Sequence, residues 1–189
     1  ISAAKCHVAG VGASMSLILN EGRADEYGRQ VPVKAQVLAL SGGVVVGRRG
    51  IYAGRTVHLG PSAAIRVGGL TLVLCSRRIQ CADPVFFETF GLDIGAYCSL
   101  VVKSRGHFRA GIDPWYGDDK IIEVDAAGLT SPVLEEPSPK NASPMAGCPF
   151  RRCESVAPTT FDSMAPRWLI MGSERFEGSP WWILPSRAL

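Results

Sequence analysis

Residues 70–107 read L-T-L-V-L-C-S-R-R-I-Q-C-A-D-P-V-F-F-E-T-F-G-L-D-I-G-A-Y-C-S-L-V-V-K-S-R-G-H, and this segment decides the fold. Two short apolar runs, Leu70–Cys75 and Cys98–Lys103, have the length and composition of buried strands. Helix signals lie between them. Asp83 is a good N-cap and Pro84 suits a first helical position. Val85, Phe86, Phe87 and Phe90 supply an apolar face, and Gly91 is a good stop, so the spacing predicts a helix over 84–91. A connection of this kind joins parallel neighbours. The two strands are therefore expected to lie side by side, with both carboxyl ends on one edge of a sheet.

Working outward, residues 1–13 read as the end of a small-residue helix passing into a glycine turn, and Met15–Leu19 as a strand ended by Asn20-Glu21-Gly22. Residues 31–40 place apolar side chains at Val33, Ala35, Val37 and Ala39, the alternation of a half-buried strand. Ser41-Gly42-Gly43 then turns the chain into Val44–Val46, which predicts a hairpin over 31–47. Residues 47–62, rich in Gly and Arg, read as loop with a short strand. Ala64–Val67 and Leu70–Ser76 flank Gly68-Gly69, a second hairpin with a turn of the primed type. A short helix is expected from Arg105 with Ser104 as its N-cap, and a further strand over 120–125. Hairpins mixed with a strand–helix–strand unit give an α+β domain with a mixed sheet.

The character changes near residue 135. Eight of the 13 prolines lie from Pro137 onward, so the sequence divides into a domain over 1–134 and a loop-rich extension over 135–189. Trp168, Trp181 and Trp182 set a condition on that extension, because aromatics of this size need a surface to bury against.

Composition narrows the function classes. The 189 residues are 47% hydrophobic and 20% charged, the profile of a globular chain with a core of its own. A net charge of +3, with no basic stripe interleaved with aromatics, argues against nucleic acid as a partner. No apolar run approaches the roughly 18–20 residues needed to span a bilayer. Ile1 stands where a methionine would open a gene, which suggests a fragment, and no secretory pattern follows it. The six cysteines form no C-x-x-C pair, so a cytoplasmic location with reduced thiols is expected.

The polar residues cluster where the two strands end. The first strand runs into Ser76-Arg77-Arg78-Ile79-Gln80, the second into Lys103-Ser104-Arg105-Gly106-His107. Ligands of open α/β sheets bind outside the carboxyl ends of strands. Helix N–H groups, Lys103 and an arginine at that edge would favour an anion or a polarised carbonyl, with His107 in reach. Charged residues after a strand also suit a plain solvated rim, with Ser104 serving only as a cap. His7 and His58 stand isolated, without partners at metal-ligand spacing. Nothing in the sequence amounts to a complete triad or metal site.

An ordered series of short motifs carries a resemblance. They are A-G-V-G-A at 9–13, Y-A-G at 52–54, L-G-P-S-A at 59–63, R-V-G-G at 66–69 and S-R-R-I-Q at 76–80. F-G-L-D at 90–93, V-V-K-S-R-G-H-F-R-A at 101–110 and I-E-V-D-A-A-G-L-T-S at 122–131 continue it. In these the chain resembles the C-terminal domain of the MlrC family, the microcystinase C-like metallopeptidases. The resemblance implies a two-domain, zinc-dependent hydrolase of peptide or amide bonds, with microcystin as one substrate of the type. It implies that the zinc ligands lie on an N-terminal metallopeptidase domain, which is then this chain's partner. Lys103, Ser104 and His107 are the residues expected to act on the reacting carbonyl, and Ser76, Arg77, Arg78, Gln80 and Arg105 those expected to hold substrate. Apolar surface left uncovered without that domain would favour self-association. The alternative is a stand-alone, non-catalytic module that binds an anionic ligand at the basic strand ends.

Overall fold

The structure is a computed structural model that describes residues 2–21, 30–104, 106–124, 168–173 and 181–185. The chain opens with helix α1 (Ser2–Ala9), ended by Gly10 at φ 84° and Gly12 at φ 86°. Strands β1 (Ser14–Leu19), β2 (Val31–Ser41), β5 (Ser62–Val67) and β6 (Leu70–Cys75) form a consecutive antiparallel run. Gly68, at φ 57°, occupies the first central position of the tight β5–β6 turn, as the primed-turn reading requires. Asn20, the one described non-glycine residue with positive φ, turns the chain out of β1.

The expected hairpin over 31–47 does not form. β1 pairs with residues 31–36 of β2 and β5 with residues 36–41, and Val44–Val46 joins neither stretch. That segment, β3 (Val44–Val46), pairs instead with β4 (Thr56–His58) in a separate two-stranded ribbon. A bulge between Val37 and Ala39 breaks the period of β2. Val33, Ala35 and Val37 face one core, whereas Ala39 faces the other.

Beyond β6 come helix α2 (Val85–Glu88), β7 (Ser99–Lys103), helix α3 (Arg109–Ile112) and β8 (Ile122–Val124). α2 is shorter than the predicted 84–91, but its signals hold: Asp83 Oδ1 accepts from Val85 N at 2.9 Å, and Gly91 ends the segment at φ 71°. β6 and β7 are parallel, as expected, but not adjacent. β9 (Trp168–Ser173) lies between them, parallel to both, and β10 (Trp181–Pro185) pairs antiparallel with β7 and β8. Two strands of the eight-stranded sheet thus come from a region whose sequence reads as loop. The backbone of the three tryptophans flagged there lies in these strands.

Two cores result from alternation in β5, β6 and β7. Ala63, Ile65, Leu72 and Leu74 pack with Ala3 and Cys6 of α1, while Ala64, Val73, Cys75, Leu100 and Val102 face the opposite side. Both faces of β5 and β6 are buried, which is why their sequences are nearly continuous apolar runs. The second core also holds Val45 and Val57 of the ribbon and the buried rings of Phe86, Phe87 and Phe108. Burying each such ring contributes about 1.5–3 kcal/mol. Among the described residues no helix is long and apolar enough to cross a membrane.

Candidate functional site

The shared neighbour of β6 and β7 sets the level at which their loops emerge. Leu70 and Ser99 both pair with Trp168, and Leu72 and Val101 both pair with Ile170. Counting forward in that register, Cys75 stands level with Ser104. The two polar segments therefore leave the sheet at the same end and the same height, although a strand separates them.

One side chain crosses the gap. The Gln80 amide nitrogen lies 2.9 Å from Ser104 Oγ and 3.1 Å from His107 Nδ1. Ser104 is fully buried, Gln80 half-buried and His107 exposed, so the cluster runs from the interior to the surface. Ser104 is not a helix cap. α3 begins at Arg109, with Phe108 in the cap position, because Gly106 at φ 98° bends the chain out of helical geometry first. The helix N-terminus expected at Ser104 as an anion site is accordingly absent from that position, and His107 precedes the helix rather than lying in its first turn.

Lys103 ends β7 next to Ser104 and is half-buried. Burial pushes the pKa of its ammonium down, because desolvation disfavours the charged form. Ser76 and Arg77 lie against the base of the ribbon. Arg77 N donates to Leu59 O at 2.9 Å, and a Cβ on Gly60 would collide with Ser76 Oγ. Arg78 is exposed on the same loop. Arg105 lies outside the described residues. Of the predicted site residues, the structure thus gathers Gln80, Ser104 and His107 with Lys103 alongside. Ser76, Arg77 and Arg78 form the flank nearest the ribbon.

Asp83 holds this end of the molecule together, and its sequence signal was only that of a cap. It is 1% exposed. Its Oδ2 accepts from Arg48 N at 2.6 Å and Arg49 N at 2.8 Å, while Oδ1 caps α2. One carboxylate thereby ties the ribbon loop to the start of α2. Arg48 pairs with Glu88, and the Arg49 guanidinium lies 5.3 Å from the Trp115 ring centre and 3.8 Å from Asp113 Oδ1. α3 packs on the same segment, and a Cβ at Gly111 would overlap the Ala82 carbonyl.

The remaining titratable groups include buried thiols. Burial pushes the Cys75 thiol up to about 11 and the Cys81 thiol well above its usual range, so both stay protonated and unreactive. The four described cysteines are free thiols. His7 Nε2 lies 3.0 Å from Ser62 O and ties α1 to β5. The hollow lined by Phe108, Ile112, Asp113, Tyr116 and Ile121 measures only 180 Å³, below the range of about 300–1,000 Å³ usual for small-molecule pockets. A hollow of 530 Å³ lined by Ala4, Lys5, Val8, Ala9 and Met15 lies within that range but offers only Lys5 as a polar side chain, so the strand ends, where several polar side chains meet, are the stronger candidate. Among the described residues no group of three or more His, Cys, Asp or Glu is placed to hold a metal ion, so these side chains do not fit a zinc centre.

A family model named for the MlrC C-terminus matches residues 1–140, about three-quarters of the chain and all the motifs that meet at this surface. The chain belongs to the MlrC C-terminal family. No curated protein matches it. Within that MlrC C-terminal domain, the matched span contains β6, β7 and every residue of the Gln80 cluster. β9 and β10 lie beyond it.

Proposed function

We propose that this chain is the substrate-holding half of a zinc-dependent amide or peptide hydrolase, and that its strand-end surface closes over a substrate bound to a separate N-terminal catalytic domain. The observation that carries the reading is the Gln80 amide joining Ser104 and His107 across the two strand ends. It brings two motifs far apart in sequence onto one surface, beside a lysine that burial makes a costly place for a charge. Lys103 and His107 are the donors that would hold the carbonyl oxygen of the substrate as negative charge develops on it. Arg77 and Arg78, both exposed, suit the outer parts of a peptide. Zinc enters this reading as the partner domain's metal, as the family resemblance implies. The stand-alone reading, an anionic ligand held at the basic strand ends, loses only the helix N–H groups expected at Ser104, since α3 starts at Arg109.

The test is a chimera. This chain replaces the C-terminal domain of a full-length, zinc-loaded family member, and hydrolysis of a peptide amide is followed. Activity is expected, and Lys103→Ala should lower kcat about 100-fold, the loss typical of removing one oxyanion donor, with KM and melting temperature little changed. A folded chimera that hydrolyses nothing, or one that keeps full kcat as both Lys103→Ala and His107→Asn, would sink the proposal.

A further inference from the structure

His107 has two ring nitrogens with different surroundings, and Gln80 distinguishes them. The Gln80 nitrogen carries two protons. Ser104 Oγ, at 2.9 Å, receives one and His107 Nδ1, at 3.1 Å, the other. A nitrogen that accepts a hydrogen bond has no proton of its own, so in the neutral ring the proton sits on Nε2. Because His107 is exposed, that Nε2–H is the part of the ring available to a ligand.

We infer that Gln80 is a positioning residue that fixes His107 in the Nε2–H tautomer, so that His107 offers a hydrogen-bond donor to a ligand oxygen and not a lone pair to a metal. The opposite arrangement has a clear chemical meaning. Turned over, the amide would present Oε1 to an Nδ1–H, leaving a bare Nε2. That is the arrangement of metal-ligating histidines, whose second nitrogen donates to an oxygen. The amide's orientation thus selects between an oxygen-binding and a metal-binding His107. Gln80 accordingly serves His107 and Ser104 rather than substrate, which revises the substrate-holding role expected of it. The ligand class, a carbonyl or carboxylate oxygen, rests on the reading of this surface as a substrate wall; the tautomer does not.

The experiment is a long-range proton–nitrogen NMR correlation of the imidazole rings in the ¹⁵N-labelled 189-residue chain at pH 8. His107 is assigned by the loss of its signals in His107→Asn. His7 is an internal reference, because its Nε2 faces the Ser62 carbonyl at 3.0 Å and must carry the proton there. His107 is expected to show the same pattern as His7, and one equivalent of Zn²⁺ should leave it in place. Gln80→Glu, which can only accept, should reverse the pattern, and Gln80→Ala should weaken it to the imidazole's own mild preference for the Nε2–H form. An Nδ1–H pattern in the unmodified chain overturns the inference, as does a pattern unreversed in folded Gln80→Glu or displaced by one equivalent of zinc. If Gln80→Ala does not fold, the unmodified chain and Gln80→Glu still decide. A chimera without hydrolytic activity would leave the tautomer result standing, and a wrong tautomer would leave the chimera result standing.

Discussion

The loops that leave β6 and β7 bring polar side chains to the same end of the sheet, but they are held in different ways. The β6 loop is fixed through backbone groups. Arg77 N binds Leu59 O, and Asp83 gathers three backbone N–H groups from two segments. The β7 loop is oriented through side chains, with Gln80 of the first loop reaching both Ser104 and His107. Built this way, the first loop is a platform that stands without a ligand, and the geometry of the second follows from it. Damage to the platform should therefore cost stability and site together, whereas damage to the second loop should cost the site alone.

The strongest way to break that asymmetry is Asp83→Ala. It strands three N–H donors in a region where the carboxylate was almost wholly buried. A fully buried donor left unsatisfied costs about 1–3 kcal/mol; Arg48 and Arg49 are exposed residues whose N–H groups water can reach, so the net loss should be about 3 kcal/mol for the three together. Urea denaturation should show it as a lower midpoint with little change in slope. A loss below about 1 kcal/mol would mean that the ribbon loop is not anchored through Asp83.

Gly111→Ala should have a smaller effect. The added methyl would meet the Ala82 carbonyl, a backbone atom that cannot swing aside. Overpacking of this kind costs about 1–3 kcal/mol. It should also lift α3 and draw His107 away from Gln80, so the melting temperature and the His107 NMR signals should move together. A fall in melting temperature with unmoved His107 signals would show that α3 does not set the position of the β7 loop.

What the sequence made legible follows the same division. Local signals hold where they act locally. Gly68 made its turn, Gly91 stopped its segment, and the continuous apolar runs of β5 and β6 reported burial on both faces. A local signal misleads where it has a distant partner. Val45 points inward between outward Val44 and Val46, and that period is the same in a ribbon as in a sheet, so it gives the face but not the neighbour. Asp83 read as a cap because its other oxygen acts on residues 34 and 35 positions away. Ser104 read as a cap because its bond to Gln80 spans 24 residues. In the proline-rich region, W-L-I-M at 168–171 and W-W-I-L at 181–184 are short strand-like runs, outweighed in the reading by the composition around them. The site residues were named from their chemistry, but which of them meet depended on the register through β9.

The smallest effect, at Lys103, separates site from platform most cleanly. Burial lowers its pKa, so between that lowered value and 10.5 the folded chain binds fewer protons than the unfolded chain. Stability then rises with pH through that window as the cost of holding a half-buried charge is relieved. At neutral pH the lysine is charged in both states and the cost is present in full. Lys103→Met should therefore be slightly more stable than the parent at pH 7, by no more than a few tenths of a kcal/mol given how much of the side chain solvent reaches. Its advantage should shrink as the pH approaches 10. In the catalytic chimera the same substitution should cost kcat heavily. A residue whose loss leaves the fold as stable or more so while removing activity is retained for its chemistry, and a Lys103→Met chain less stable than the parent at pH 7 would reverse that conclusion.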